Sequence, residues 1–126
     1  MVVQHPKHIL LIAITDSICK NDIANSLRQE NYQFLFAGTS EEAIGICIQH
    51  PEVELIIIGI DLPGINGIKT VTKIRQMDAN APIILIVTYI TLESLRLAQN
   101  IGCNEILQTP VDQKTLEAII LKYIPC

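Results

Sequence analysis

Short aliphatic runs that alternate with turn and helix-capping residues constrain the fold of this chain most. Three such runs, Ile9–Ile14, Val53–Ile58 and Ile83–Val87, contain almost no polar side chain. A strand with one face in water alternates apolar and polar residues, whereas a strand of this kind is covered on both faces. The runs therefore predict parallel strands that are buried between two layers of helices.

Helix signals occupy the segments between these runs. Residues that favour the first position of a helix stand before each segment: Thr15–Ser17, Thr39, Asn66, Thr91 and Asp112. The first helix is expected to end at about Gln29, and Gly102 stands where a fourth helix would stop. Two further short strands are predicted at Tyr32–Phe36 and Glu105–Gln108.

Strand and helix thus alternate five times along the chain. This order predicts an α/β fold with three layers, a doubly wound five-stranded parallel sheet of the flavodoxin-like (βα)5 type. Right-handed crossover connections leave few topologies, and at this length the flavodoxin-like strand order 2-1-3-4-5 is expected. Ligands of such sheets bind beyond the carboxyl ends of the strands, so functional residues are expected at that edge.

Length and composition exclude several classes of protein. The 126 residues fit one domain spanning 1–126, and we expect residues 1–8 to form an N-terminal tail. Apolar residues make up 49% and charged residues 17%, which excludes a disordered chain. The net charge of −4 leaves no basic face, so nucleic acid is not an expected partner.

The cysteines and the apolar runs bear on where the protein works. Cys19, Cys47, Cys103 and Cys126 show no tight spacing, which favours a reduced compartment over a disulfide framework. No apolar run approaches the roughly 20 residues of a membrane span, and no signal peptide is recognisable. We therefore expect a cytoplasmic protein that does not enter a membrane.

One loop resembles a known family. The segment Gly59-Ile60-Asp61-Leu62-Pro63-Gly64-Ile65-Asn66-Gly67 is similar to the D-x-x-M-P-x-x-(D/N)-G loop of response-regulator receiver domains in two-component signalling. Ala81-Pro82-Ile83, Val87-Thr88 and the stretch from Glu105 to Pro110 after Gly102 support the resemblance, which covers roughly residues 8–124. It implies a signal-transduction module that takes part in a phosphorelay.

The chemistry that this resemblance implies is phosphoryl transfer to an aspartate. An aspartate attacks phosphorus, an acidic pair holds Mg²⁺, and a lysine pairs with the phosphoryl group. A threonine or serine hydroxyl, together with an aromatic position on the fifth strand, acts as the switch. Catalysis in such a site is almost entirely positioning and charge stabilisation.

This sequence departs from that pattern at nearly every charged position. Position 59, where the acceptor aspartate is expected, is Gly59, and the acidic pair is replaced by Ile14 and Thr15. The lysine is replaced by Thr109. The hydroxyl remains as Thr88, and the aromatic switch position carries Ile106. We therefore expect a pseudo-receiver that is not an enzyme, holds no metal or other cofactor, and acts through protein contacts.

Two aspartates keep an alternative open. Asp61 lies two positions after Gly59 and would be a displaced phosphoacceptor, or else a loop carboxylate that caps or solvates the turn before Pro63. Asp16 would be a remaining Mg²⁺ ligand, or else the cap of the first helix. Under this alternative the chain is a phosphorylatable receiver that uses Mg²⁺.

Other candidate side chains favour structural roles. Cys47 and His50 make an incomplete metal pair, His5 and His8 fall in the expected tail, and Cys103 is read as a small buried side chain. The terminal Cys126 would be exposed and open to oxidation. No glycine-rich loop follows the first strand, so a nucleotide cofactor is not expected.

The resemblance also suggests where a partner would bind. In receivers, helix four, strand five and helix five commonly meet a protein partner or a second copy. The charges on this face are mixed and come from Glu93, Arg96, Glu105, Lys114, Glu117 and Lys122. Such charges favour a defined register of association more than tight binding.

Overall fold

The structure is a computed structural model that describes residues 7–25, 27, 31–77 and 80–124. Its five strands are β1 (His8–Ala13), β2 (Tyr32–Ala37), β3 (Leu55–Gly59), β4 (Ile83–Val87) and β5 (Glu105–Gln108). Its five helices are α1 (Ser17–Asn25), α2 (Ser40–Gln49), α3 (Asn66–Gln76), α4 (Leu92–Ile101) and α5 (Gln113–Tyr123). The predicted alternation of strand and helix is confirmed.

The strands form one parallel sheet in the order β2-β1-β3-β4-β5, as predicted. In this register Ile12 lies beside Ile57 of β3 and Phe36 of β2, and Leu85 lies between Ile58 and Ile106. All carboxyl ends therefore meet at one edge of the sheet, which is where the sequence places the candidate site.

The core is divided between the two faces of the sheet. Alternate strand residues such as Leu10, Ile12 and Ile57 pack with Ile23 of α1 and Leu116 of α5. The intervening residues pack against α2 and α3, which supply Ala43, Val71 and Ile74 to the same cluster as Leu11, Ile56 and Ile58. Because successive side chains of a strand point to opposite faces and both faces are covered by helices, the central strands are aliphatic along their whole length.

Most of the predicted helix boundaries are confirmed. The Thr39, Thr91 and Asp112 side chains each accept the backbone N–H three residues on, as N-caps do. Gly102 ends α4 in the left-handed conformation at φ 97°. Asn66 has φ 71°, and its Oδ1 accepts the N–H of Lys69 at 3.0 Å.

Two strand starts differ from prediction. The strand β1 begins at His8, which pairs with Tyr32, so His8 does not belong to a tail. Its Nδ1 lies 2.6 Å from Oε2 of Glu54. The strand β3 begins at Leu55, because the Val53 N–H is used in a turn to the His50 carbonyl. The predicted helix end at Gln29 lies outside the described residues.

Among the residues that the structure describes, no helix is both long enough and apolar enough to cross a bilayer.

Candidate functional site

A small cavity of about 90 Å³ lies at the carboxyl edge of the sheet. Its walls come from the ends of β1, β3, β4 and β5 and the loops that follow them. They include all five positions that the resemblance assigns to the phosphorylation site, and both aspartates of the alternative: Ile14, Thr15, Gly59, Thr88, Thr109, Asp16 and Asp61. The fold thus brings together residues that lie up to about a hundred positions apart in the sequence.

The wall formed by β1 and β3 carries no charge at the predicted positions. Ile14 is only 5% exposed and belongs to the core cluster shared with α1 and α5. A Cβ placed on Gly59 would lie 3.7 Å from Cγ1 of Ile14 and 3.9 Å from the Ala13 carbonyl oxygen, which are ordinary contacts. The backbone therefore has room for a side chain at position 59, and packing does not require glycine there.

The wall formed by β4 and β5 carries hydroxyls. Thr88 is exposed at the end of β4, and the Thr109 N–H donates to the Val87 carbonyl at 2.9 Å. The Thr109–Pro110 peptide bond is cis. Ile106 is half-buried and packs with Leu85, Val87 and Ala98, so the predicted switch position is part of a small apolar cluster.

The two aspartates have different local roles. Asp16 precedes α1, and its Oδ1 accepts the Cys19 N–H at 3.3 Å while its carbonyl accepts the Lys20 N–H. This is the predicted capping role. Asp61 is exposed in the β3–α3 loop (60–65) beside the cavity. Burial raises the pKa of the Cys19 thiol in the cavity wall, and the charges of Asp16 and Asp22 raise it further.

The β3–α3 loop is held by two buried hydroxyls, those of Ser40 and Thr70, neither of which is a predicted site residue. Ser40 Oγ donates to the Pro63 carbonyl at 3.1 Å and accepts the Ile65 N–H at 3.2 Å. It also lies 2.9 Å from Oγ1 of Thr70, which itself donates to the Asn66 carbonyl. Both hydroxyl residues are at most 1% exposed. The sequence does not predict this contact, because serine and threonine at helical positions give no signal of it.

Gly67 explains why the same loop lies so close to the strand. A Cβ at this position would lie 2.4 Å from the Gly59 carbonyl oxygen and 2.8 Å from Cα of Ile60. The Gly67 N–H donates to the Ile60 carbonyl at 3.1 Å. The final glycine of the motif is therefore a steric requirement of this fold.

The β4–α4 loop (88–91) presents apolar side chains to solvent. Tyr89 is 75% exposed and Leu92, the first residue of α4, is 65% exposed. Ile90 and Leu95 are also exposed, and only Ala98 of α4 is buried. These four exposed side chains, Tyr89, Ile90, Leu92 and Leu95, are called the α4 patch below. An exposed apolar cluster of this kind is typical of a binding surface.

The other candidate side chains are separate from the cavity. His50 Nδ1 lies 2.9 Å from Oε1 of Glu52, and burial raises the pKa of Cys47 to about 11. Burial also raises the pKa of the half-buried Cys103 to about 11. In the described ranges no three His, Cys, Asp or Glu side chains could share a metal ion. His5 and Cys126 lie outside those ranges.

Comparison with known proteins identifies the family. The family model of the response regulator receiver domain matches residues 10–121. The chain belongs to this family. The receiver domain is 23% identical over 108 residues to sporulation initiation phosphotransferase F of Bacillus subtilis, covering 86% of this chain and 84% of that protein. It spans only 28% of a cyclic di-GMP phosphodiesterase from Thermotoga maritima, with 22% identity over 85% of this chain.

Solved structures confirm the receiver fold. The receiver domain of a sensor histidine kinase from Pseudomonas aeruginosa superposes with a TM-score of 0.84, at 18% identity and coverage of 96% and 100% of the two chains. That structure holds a magnesium ion in its active-site cleft. A CheX–CheY complex from Borrelia burgdorferi with BeF₃ and Mg²⁺ matches with the same TM-score and identity, covering 96% and 91%.

The donors around the cavity of this receiver domain differ from those that Mg²⁺ prefers. Mg²⁺ takes near-octahedral oxygen ligands and is usually held by carboxylates. At the two positions assigned to the acidic pair, Ile14 supplies hydrocarbon and Thr15 one neutral hydroxyl. Of the two carboxylates that line the cavity, Asp16 is already bonded to the start of α1. The residues at the acidic-pair positions do not fit the ion.

Proposed function

We propose that this chain is a pseudo-receiver, a receiver domain that transmits a signal by protein contact without phosphorylation at the usual aspartate. One observation carries the proposal. The five positions assigned to the phosphorylation site surround a single cavity, and none of them provides a charged side chain. A receiver fold whose assigned positions lack these charged groups supports signalling without phosphoryl transfer.

Phosphoryl transfer makes demands that this cavity meets poorly. The attacking group must be a nucleophile, and Gly59 has no side chain. The phosphoryl oxygens must be neutralised by a metal ion and a cation, but the assigned positions hold Ile14, Thr15 and Thr109. If the metal-binding carboxylates and the lysine are replaced together, no charged side chain is left without an oppositely charged partner at this edge of the sheet.

The α4–β5–α5 face is the surface we assign to a protein partner. The α4 patch contributes exposed apolar area at one end of this face. Charges of both signs lie along it, and Glu105 accepts hydrogen bonds from Lys122 and Tyr123. An apolar centre with charged groups around it is the composition of many protein interfaces. A partner with the complementary pattern would bind here in either a permanent or a regulated complex.

A second candidate function is a phosphorylatable receiver that uses Asp61 as a displaced acceptor. The position of Asp61 and Asp16 in the wall of the same cavity favours it. Such a site would need Mg²⁺, and Asp16 would have to give up part of its capping role to ligate the ion. It would also lack a lysine, because Thr109 takes that position.

Titration with beryllofluoride and Mg²⁺ followed by amide NMR distinguishes the two functions, because beryllofluoride mimics a bound phosphoryl group. We expect no saturable shifts at Thr88, Gly59 or Thr109 of the parent chain. The matched variant carries Ile14→Asp, Thr15→Asp, Gly59→Asp and Thr109→Lys, and we expect it to respond. Saturable shifts in the parent that disappear in Asp61→Asn would establish the second function instead.

A further inference from the structure

The two edges of the sheet are protected to different degrees. The edge strand β5 has four residues and carries Glu105, which is bonded to Lys122 and Tyr123 of α5. The edge strand β2 has six residues, Tyr32–Ala37, with neither a charged residue nor a proline. Natural sheets protect their edges with short strands, charges or prolines, and β2 has none of these features.

The backbone of β2 presents hydrogen-bonding groups at this edge. The His8 N–H donates to the Asn31 carbonyl at 2.9 Å, and His8 is in register with Tyr32. In a parallel pair the backbone groups of every second residue point toward the neighbouring strand. Those of Gln33, Leu35 and Ala37 therefore point toward β1. The N–H and C=O groups of Phe34 and Phe36 point away from it.

The same two residues carry large apolar side chains on one face. The Phe34 and Phe36 ring centroids are 6.2 Å apart, and Phe36 is 46% exposed. The ammonium of Lys20 lies 5.6 Å from the Phe36 ring centroid. On the other face Leu35 is half-buried. An edge that combines outward backbone groups with exposed aromatic surface favours pairing with another strand.

We propose that β2 is a homodimerisation edge, at which a second copy of this chain pairs its own β2 in antiparallel register. In this register Phe34 lies opposite the partner's Phe36, and Phe36 lies opposite the partner's Phe34. Leu35 lies on the two-fold axis. This register forms about four hydrogen bonds from the outward groups of these phenylalanines. The result is one continuous sheet across both subunits.

The occupant is a second copy because the strand is complementary to itself. Two phenylalanines spaced two residues apart face each other when the strand is turned by a two-fold axis, which covers the exposed ring of Phe36. No charged side chain lies on β2, so self-pairing brings no like charges together within the strand. This inference uses a different surface from the α4 patch and holds whether or not the chain is phosphorylated.

Sedimentation equilibrium and amide hydrogen exchange test the proposal together, at concentrations up to about 0.5 mM. We expect a concentration-dependent dimer in which the Phe34 and Phe36 amides exchange more slowly as the dimer fills. Phe36→Lys should raise the dissociation constant about 100-fold or more. The matched control Ile48→Lys changes an isoleucine of α2 that is 64% exposed, and should leave the dissociation constant unchanged.

Three results would overturn the proposal. A chain that stays monomeric over the whole concentration range has no dimerisation edge. A dimer whose Phe34 and Phe36 amides keep exchanging at the monomer rate pairs through another surface. A dimer that is lost in Leu92→Lys and retained in Phe36→Lys uses the α4 patch.

Discussion

The two loops that border the cavity are built in opposite ways. The β3–α3 loop is held by the buried Ser40 and Thr70 hydroxyls and packs so closely on β3 that residue 67 must be glycine. The β4–α4 loop exposes Tyr89 and Ile90 and leads into a helix of which only Ala98 is buried. One side of the cavity is thus a fixed part of the core, and the other side exposes apolar side chains to solvent.

The two loops also differ in which features of the family's site they carry. The β3–α3 loop keeps the motif that positions an acceptor, although Gly59 supplies no nucleophile. The β4–α4 loop keeps the hydroxyl of Thr88 next to exposed apolar side chains. The closely packed loop therefore lies on one side of the cavity, and the exposed apolar side chains lie on the other.

The largest expected effect is on the fixed side, at Gly67. Gly67→Ala places a methyl group 2.4 Å from the Gly59 carbonyl oxygen, so the loop or the strand must move. We expect a loss of about 3 kcal/mol in the free energy of unfolding, measured by urea denaturation. The control Gly59→Ala should be unchanged or slightly more stable, since its Cβ meets only ordinary contacts. Equal stability of the two variants would contradict the close packing of Gly67 on β3.

The next effect concerns the buried hydroxyl pair. Ser40→Ala removes the acceptor of the Ile65 N–H and one partner of Thr70, in a place that water does not reach. We expect a loss of about 2 kcal/mol in unfolding free energy. Thr72→Ala is the control, because its hydroxyl donates to the Ile68 carbonyl of its own helix. A Ser40→Ala loss no larger than that of Thr72→Ala would show that the network does not hold the loop.

Much of this architecture could be predicted from the sequence, and the reasons are local. The strands were found because Ile56, Ile57 and Ile58 are buried on alternating faces and leave no polar interruption. The caps at Thr91 and Asp112 and the stop at Gly102 were found because they depend on a few neighbouring residues. The family resemblance, through the loop and the Val87-Thr88 match, predicted that Gly59, Asp61 and Thr88 lie at one edge of the sheet, and all three line the cavity there.

Features that depend on distant parts of the chain could not be predicted. The Ser40–Thr70 contact joins residues 30 positions apart, and serine and threonine at helical positions carry no signal of it. The exposure of Leu92 depends on how α4 lies against the sheet, which the apolar spacing of Leu92, Leu95 and Ala98 did not disclose. His8 joined β1 because of its partner Tyr32 on another strand.

A smaller effect is expected on the exposed side. Thr91 and Ser94 form a capping box, in which each side chain accepts the backbone N–H of the other. Thr91→Ala should lower the free energy of unfolding by about 1 kcal/mol in urea denaturation. Thr91→Ser keeps the acceptor oxygen and should lose much less. If both variants lose the same amount, the cap does not stabilise α4.

The smallest effect is a dependence on pH at the α4–β5–α5 face. The Tyr123 hydroxyl and then Lys122 hold the pKa of Glu105 below its usual value. The ionised Glu105 therefore stabilises the folded state above its unfolded pKa of about 4.3. This stabilisation is lost as pH falls through the folded pKa of Glu105. The melting temperature of the parent should exceed that of Glu105→Gln at pH about 6, and the two melting temperatures should converge on acidification. A difference that grows on acidification would contradict this sign.

The most direct test of the central claim is intact-mass spectrometry after incubation with acetyl phosphate and Mg²⁺. We expect no phosphoryl adduct on the parent chain, and none on Gly59→Asp, because Ile14, Thr15 and Thr109 still supply neither metal ligands nor a cation. An adduct on the parent at Asp61 or Asp16, or on Gly59→Asp at position 59, would show that this cavity performs phosphoryl transfer and that the chain is not a pseudo-receiver.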